Sequence, residues 1–90
     1  MNENKHQNYV IMSEWGILST RPNMRTGNDN EIRLTKTSWF GKKPKWDLRN
    51  WISGGIAGQG VVIGDDDELH KLRDMLIDVC KQIDEHPGEY

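Results

Sequence analysis

The amino-acid sequence predicts an α+β domain, in which a four-stranded antiparallel β-meander is followed by one C-terminal α-helix. Residues 31–40 and 44–52 alternate apolar and polar side chains with the period of a β-strand. Residues 65–86 instead place apolar side chains at helical spacing. Clusters of glycine, proline and asparagine separate these segments, so we expect consecutive strands to be neighbours in one sheet.

The composition predicts one small domain. The chain has 90 residues, of which 34% are hydrophobic. The domain is predicted over residues 9–86, between a disordered lead at 1–8 and a tail at 87–90. A chain of this size buries little surface, so a partner subunit would complete its core. A polar N-terminus and the lack of any apolar run near the roughly 20 residues of a membrane span favour a soluble, cytoplasmic protein.

The strands are predicted from β-branched, aromatic and turn-forming residues. The first covers residues 14–20, with Tyr9 as its earliest start and a bulge at Gly16. The second and third are the two alternating segments, joined by a tight turn at residues 41–44. Residues 53–60 contain four glycines and are predicted to form a flexible loop before a short fourth strand.

The helix carries the clearest signal. Asp65 is the predicted N-cap, and Glu68 completes a capping box. Cys80 lies on the apolar stripe, so we expect it to be buried; as a single cysteine it excludes an intramolecular disulfide and a zinc framework. The stripe is wide for one small sheet, which predicts a homodimer that pairs helix with helix. The predicted interface residues are Leu69, Leu72, Met75, Leu76, Val79 and Ile83.

The charges are distributed unevenly along the chain. Residues 21–51 carry eight cations against three acids, whereas residues 65–90 carry nine acids against three cations. The local field steers a polyanion, so the basic middle segment favours nucleic acid although the formal net charge is −2.

Residues 39–51 hold three of the four tryptophans and four cations. One strand parity places apolar residues, Trp46 among them, on the core. The other parity directs rings and cations toward solvent, where rings stack on bases and cations meet the phosphates of a single strand. The predicted DNA-binding residues are Arg33, Lys36, Trp39, Lys42, Lys43, Lys45, Arg49 and Trp51.

Each of these residues also has a structural interpretation. For Trp39 and Trp51 the alternative is a place in the core or a dimer interface, and for the lysines it is a solvated turn that discourages edge aggregation. Arg49 has Asp47 and Glu31 as alternative partners. No convergent acid, base or nucleophile and no metal-ligand spacing is evident, so neither an enzyme nor a cofactor is predicted.

Four segments carry a family resemblance: SW at 38–39, PKWDLRNW at 44–51, QGVVI at 59–63 and ELHKLRDML at 68–76. In this order they resemble the single-stranded-DNA-binding domain of the transcriptional coactivator positive cofactor 4, and more closely its bacterial YdbC-like branch. The resemblance implies a curved four-stranded antiparallel sheet, a homodimer built largely through the C-terminal helices, and sequence-independent binding of single strands.

The resemblance also assigns roles to individual positions. Arg49 matches the family's third-strand arginine, and Trp39 or its neighbour Phe40 matches the aromatic residue that ends the second strand. Lys42, Lys43 and Lys45 fall in the basic hairpin, and Trp51 lies in the aromatic end of the third strand.

The leading hypothesis is therefore a non-enzymatic homodimer that binds single-stranded DNA, with a role in DNA replication, repair, recombination or transcription. Stacking and phosphate contacts do not involve the 2′-hydroxyl group, so RNA is compatible with the same chemistry. The alternative is a protein-interaction adaptor whose exposed tryptophans dock a peptide or partner.

Overall fold

A computed structural model describes residues 8–90 of the chain. Its elements are β1 (Tyr9–Arg21), β2 (Asn30–Trp39), β3 (Lys45–Ile52), β4 (Ile56–Ile63) and α1 (Asp66–Glu85). The strands form one antiparallel sheet in the order β1-β2-β3-β4. The predicted meander with one C-terminal helix is confirmed, while the predicted disordered lead lies outside the described residues except for Asn8.

Tight turns of one kind connect β2 to β3 and β3 to β4. In the first turn Phe40 and Gly41 have φ angles of 55° and 72°. In the second, Ser53 and Gly54 have φ angles of 53° and 76°. Positive φ at both central residues is the pattern of a type I′ turn, whose twist matches that of the flanking strands. The two turns therefore share one backbone conformation and differ in the side chain at the first central position, which is Phe40 in one turn and Ser53 in the other.

β4 begins earlier than the sequence predicts. The flexible loop expected over residues 53–60 is wrong, because the loop is only a turn and Gly58 and Gly60 lie inside β4. A Cβ at Gly60 would lie 2.7 Å from the Leu48 carbonyl oxygen, and one at Gly58 would lie 2.8 Å from that of Asn50. These glycines allow close approach of β3, a use that composition does not distinguish from flexibility.

β1 is the longest strand and is irregular. It has 13 residues, and its register against β2 shifts at three places. One shift falls between Glu14 and Gly16, which confirms the predicted bulge. Bulges bend a strand and increase its local twist, so this edge strand does not present a flat row of backbone groups.

α1 begins where its capping residues predict. The Asp65 Oδ1 atom accepts a hydrogen bond from the Glu68 backbone N–H over 2.8 Å, so Asp65 is the N-cap. The Glu68 side chain accepts the backbone N–H of Gly64 and not that of Asp65, one residue earlier than in a standard capping box. Local sequence thus sets the start of the helix.

The helix covers the sheet thinly. The Cα radius of gyration is 15.8 Å, whereas a compact domain of this length has a radius near ~12 Å. The packing of α1 is closest to β4, and no residue of α1 is buried by the part of the chain that is described. Trp51 and Ile63 are the buried hydrophobic residues in this part. A single chain therefore encloses a very small core.

Candidate nucleic-acid interface

One face of the sheet gathers most of the predicted binding residues of β2 and β3. Tyr9, at the start of β1, lies between the two tryptophans of this face: its ring centroid is 5.2 Å from that of Trp39 and 5.4 Å from that of Trp51. The three rings form one cluster across β1, β2 and β3. We call this surface the aromatic–arginine face, and its defining residues are Tyr9, Arg33, Trp39, Asp47, Arg49 and Trp51.

Each arginine of this face stacks on a tryptophan. The Arg49 Cζ atom lies 4.6 Å from the Trp39 ring centroid, and the Arg33 Cζ atom lies 5.7 Å from that of Trp51. Both distances suit a cation–π contact. Arg33 and Arg49 are also cross-strand partners, so two like charges face each other in the centre of the sheet.

An acidic residue two positions earlier pairs with each arginine. Arg33 bonds to Glu31, and Arg49 donates from Nε and Nη2 to the two carboxylate oxygens of Asp47, each over 3.0 Å. The arginine side chains are only 18% and 14% exposed. Of the partners that the sequence leaves open for Arg49, Asp47 is the one observed. The prediction that both arginines face open solvent is wrong.

Trp51 is the most deeply buried tryptophan, with 1% of its surface exposed. The prediction that it faces solvent is wrong, because Tyr9 from β1 and Arg33 from β2 lie against its ring. Trp39 is half-buried, with Tyr9 and Arg49 against it. Neither indole is an open platform for a base in this arrangement.

Polar side chains lie beneath the stacked layer. Thr35, Thr37 and Asp47 have none of their surface exposed. The two threonine hydroxyls bond to each other over 2.7 Å, and the Trp39 indole N–H donates to Asp47 over 2.9 Å. Most buried polar groups of the aromatic–arginine face have such partners, the Trp51 indole N–H being an exception among the described residues, so the face is a closed layer.

One exposed aromatic residue lies at the hairpin between β2 and β3, and Trp15 and Tyr90 are exposed elsewhere on the molecule. Phe40 is 66% exposed, and its ring centroid lies 6.5 Å from that of Trp39. Lys42, Lys43 and Lys45 are exposed, and none forms an ion pair with a residue in the described range. We call these four residues, Phe40, Lys42, Lys43 and Lys45, the β2–β3 tip. They bring one ring and three cations to the same end of the sheet, where Lys43 and Lys45 share an open cleft with the acids at residues 65–67.

The backbone of Phe40 is strained. Its φ of 55° lies in the left-handed region, where a bulky residue is an outlier and costs about 1–3 kcal/mol. Asparagine, aspartate or glycine normally fills this position of a type I′ turn. An exposed ring gains little burial energy to offset the strain.

Lys36 lies on the opposite face from Arg49, because alternate residues of a strand point to opposite sides. Its Nζ atom is 4.9 Å from the Trp46 ring centroid. The Trp46 indole N–H donates to Asp66 Oδ1 over 2.9 Å, and this bond lowers the pKa of the Asp66 carboxyl; nearby positive charges such as Lys36 lower it further. Lys36 is therefore separated from Arg33, Arg49 and Trp51. It instead lines one open cleft together with Lys43 and Lys45.

Apolar space separates α1 from the other side of the sheet, which we call the helix-side face and define by Leu34, Trp46, Leu48 and Ile63. Two open clefts of about 750 and 720 Å³ lie there, both lined by Leu48, Ile63 and Leu72. Cys80 is exposed in the single chain, so its predicted burial is wrong for the protomer: no described element covers that side of α1.

The predicted dimer residues line these clefts or lie along the same side of α1. Leu69 and Leu72 are half-buried, whereas the remaining four are 46% to 61% exposed. Those four are Met75, Leu76, Val79 and Ile83. The apolar stripe predicted from the sequence is present, and most of it is uncovered in one chain.

Comparison with known proteins identifies a relative. An uncharacterized protein of Treponema pallidum (strain Nichols) is 34% identical over 77 residues, which cover 84% of this chain and 81% of that protein. The chain belongs to the same family as this protein. No protein-family model matches the chain, and no solved structure matches it significantly. The name of the relative states no ligand or activity, so the geometry carries the functional inference.

Two simple features are lacking between residues 8 and 90. No group of three or more histidine, cysteine or acidic side chains in this range is arranged to hold a metal ion. No helix in the same range is long and apolar enough to cross a membrane.

The sequence interpretation misses two members of the aromatic–arginine face. It places Tyr9 only at the margin of a strand, since the pairing of Tyr9 with Trp39 depends on the strand register. It gives Asp47 only as an alternative partner of Arg49. A usable signal exists for Asp47: the pattern acid–aliphatic–arginine occurs at residues 31–33 and again at 47–49. This spacing places both charges of each pair on one face of a strand.

Proposed function

We propose that this protein is a non-enzymatic homodimer that binds single-stranded DNA, without sequence preference, through the β2–β3 tip. The observation that carries the proposal is the exposed ring of Phe40, which sits on a strained backbone beside three lysines that lack ion pairs in the described chain. A ring stacks on any base and a lysine contacts any phosphate, so neither contact reads a sequence.

The aromatic–arginine face supports the tip in this proposal. Trp39 and Tyr9 continue the ring surface inward from Phe40. The Trp39 ring centroid lies 6.5 Å from that of Phe40 and 5.2 Å from that of Tyr9. The charges of Arg33 and Arg49 are compensated by their acidic partners. The phosphate contacts are therefore assigned to the three lysines of the tip, with Lys36 in the cleft beside Lys43 and Lys45. The enclosed Trp51 is left outside the contact surface.

The resemblance to the YdbC-like branch of the positive cofactor 4 family supports the same ligand. Of the two residues that match its second-strand aromatic, Phe40 is the exposed one and Trp39 the half-buried one. The family's chemistry is compatible with roles in DNA replication, repair, recombination or transcription. We propose membership of that branch on this basis.

A homodimer accounts for the helix-side face. The clefts of about 750 and 720 Å³ and the uncovered stripe of α1 leave apolar surface that one sheet and one helix do not enclose. A second copy supplies the same apolar helix in return, as an isologous interface requires. The dimer would carry two β2–β3 tips on one particle. Its proposed contacts are Leu69, Leu72, Met75, Leu76, Val79 and Ile83.

Fluorescence anisotropy with a labelled, mixed-sequence single-stranded DNA tests the function. We expect saturable binding at low salt, weaker binding at high salt and much weaker binding to the duplex; single-stranded RNA forms a parallel arm. Phe40→Asn suits the turn and removes the ring, so it should cost about 1–3 kcal/mol of binding. Ser53→Asn introduces the same residue at the matched position of the other turn and should leave binding unchanged.

Two results would contradict the proposal. A folded protein that binds no oligonucleotide at low salt would refute the nucleic-acid function, and the tip would then be examined as a peptide-docking surface. Sedimentation at micromolar concentration tests the homodimer, and a monomer under those conditions would refute helix pairing.

A further inference from the structure

Asp47 is a carboxylate with none of its surface exposed, although it lies in the middle of a sheet only one layer thick. It accepts three hydrogen bonds: one from Trp39 Nε1 to Oδ2 at 2.9 Å, and one each from Arg49 Nε and Nη2 at 3.0 Å. A single side chain of β3 therefore holds an aromatic ring of β2 and a cation of its own strand.

Arg49 has most of its guanidinium group engaged inside the chain. Beyond its two bonds to Asp47, its Nη1 atom donates to the Gly58 carbonyl oxygen over 2.7 Å, and the guanidinium lies over the Trp39 ring. Each of the three guanidinium nitrogens thus has one partner inside the chain, which uses three of the five N–H groups. The positive charge is compensated by a carboxylate at bidentate geometry, the strongest form of this pairing.

Arg33 shows how the arrangement differs when the acid is less enclosed. Glu31 holds Arg33 at the same spacing, but its side chain is 24% exposed, and the Trp51 indole N–H has no partner among the described residues. Asp47 alone joins ring and guanidinium through one buried group. This makes it the organising residue of the face beside the β2–β3 tip.

We propose that Asp47 is a positioning residue that holds Trp39 and Arg49 in place behind Phe40 and that masks the charge of Arg49. This inference rests on the proposed single-strand binding at the tip. Arg49 then serves as a stacking partner of Trp39, while Lys42, Lys43 and Lys45 make the phosphate contacts. The salt dependence of binding should accordingly come from the lysines and not from Arg49.

The first test compares Arg49→Gln with Lys45→Gln, two changes that remove one positive charge each. For single strands the slope of log affinity against log salt changes by about 0.7 for each phosphate that the protein no longer neutralises. We expect Lys45→Gln to flatten the slope by about this amount and Arg49→Gln to leave it unchanged. A slope that flattens in Arg49→Gln would overturn the masking.

The second test uses Asp47→Asn, in which a neutral amide replaces the carboxylate. The amide NH2 group then faces N–H donors, and the charge of Arg49 is no longer compensated. The slope should steepen by about 0.7 if Arg49 then binds a phosphate, and Asp47→Asn combined with Arg49→Gln should restore the parent slope. In the free protein, the indole N–H resonance of Trp39 should move, while that of Trp15, which bonds to Ser13, should stay. A folded Asp47→Asn protein with an unmoved Trp39 resonance would overturn the positioning role.

The two readouts separate this inference from the proposed function. The Trp39 resonance is measured without nucleic acid, so it decides the positioning role even if no oligonucleotide binds. If the parent protein fails to bind single strands, the masking fails together with the proposed function. If the parent binds and the salt slope flattens in Arg49→Gln, only the claim that Asp47 masks the charge of Arg49 is refuted. Should Asp47→Asn not fold, the Arg49→Gln and Lys45→Gln pair still decides the masking.

Discussion

The two faces of the sheet complete their packing in different ways. On the aromatic–arginine face, residues of the same chain stack and bond until Trp51 and Asp47 are enclosed. On the helix-side face, α1 stands over open apolar clefts and none of its residues is buried by the described chain. Long flat side chains close a surface by lying across neighbouring strands, whereas short aliphatic side chains need a second layer.

The largest effect should come from truncating the enclosed ring of the aromatic–arginine face. Trp51→Ala removes a residue that is 1% exposed and should lower the free energy of unfolding by about 3–5 kcal/mol, since a large cavity is left. Chemical denaturation at one fixed protein concentration measures this loss. Trp51→Phe retains a ring against Tyr9 and removes an indole N–H without a described partner, so we expect less than half of the loss. A small effect of Trp51→Ala would show that one chain does not close this face.

A substitution in the open apolar surface beside the helix-side face should change the dissociation constant of the homodimer. Leu76→Glu places a charge on the uncovered stripe of α1 and should weaken the homodimer by about 2 kcal/mol or more, because a central apolar contact becomes a buried charge. Sedimentation across a dilution series gives the dissociation constant. Lys81→Glu introduces the same residue on the other side of the helix, where we expect no change. Equal assembly of both variants would locate the dimer contact elsewhere.

The two hairpins allow a finer comparison of stability with binding. Phe40→Asn relieves the left-handed strain of a bulky residue and should raise the free energy of unfolding by about 1 kcal/mol. The same variant should lose affinity for single strands, so stability and binding move in opposite directions. Ser53→Asn should leave binding unchanged and should alter stability only through the loss of the bond between the Ser53 and Thr26 hydroxyls, which is worth about 1 kcal/mol. Thermal unfolding checks the stability, and a destabilised Phe40→Asn would indicate that the ring packs against the protein.

The smallest expected effect concerns Asp66, which joins the N-terminus of α1 to Trp46. The hydrogen bond from Trp46 lowers its pKa below the ordinary value of 3.8. A lowered folded pKa means that the bond stabilises the protein above that ordinary value and that this contribution is lost as the pH falls through the folded pKa. The parent protein should therefore lose a little stability on acidification, and Asp66→Asn should not show this loss.

Urea titrations at mildly and strongly acidic pH measure this dependence. Asp67→Asn removes the same charge from the same helical turn without touching the bond to Trp46, and its stability should respond to acid like that of the parent. A parent and an Asp66→Asn protein with the same response to acid would show that this contact contributes nothing in solution.

Much of the fold is predictable because its signals are local. The alternation within residues 31–40 and 44–52 marks two strands, and Asp65 with the acids that follow it marks the start of α1. The start of the fourth strand is not predictable in this way, since glycines that permit close pairing have the same composition as a flexible loop. Gly60 is distinguished only by the neighbour that it touches.

The candidate site is less predictable, since the same parity that groups Arg33, Arg49 and Trp51 does not say how far each is covered. Trp51 and Phe40 illustrate the limit. Both are aromatic residues at strand ends, yet one is enclosed and the other is 66% exposed.

The sequence by itself determined the order of the elements, the helix cap and the sharing of one face by the rings and the arginines, because each depends on residues a few positions apart. Only the tertiary structure decided which ring is open and which is enclosed. Tyr9 and Arg33 reach Trp51 from other strands, and Asp47 joins Trp39 to Arg49 across the sheet. Burial is set by these cross-strand neighbours, which residue spacing along one strand does not contain, whereas the acid that compensates each arginine lies two positions earlier on its own strand.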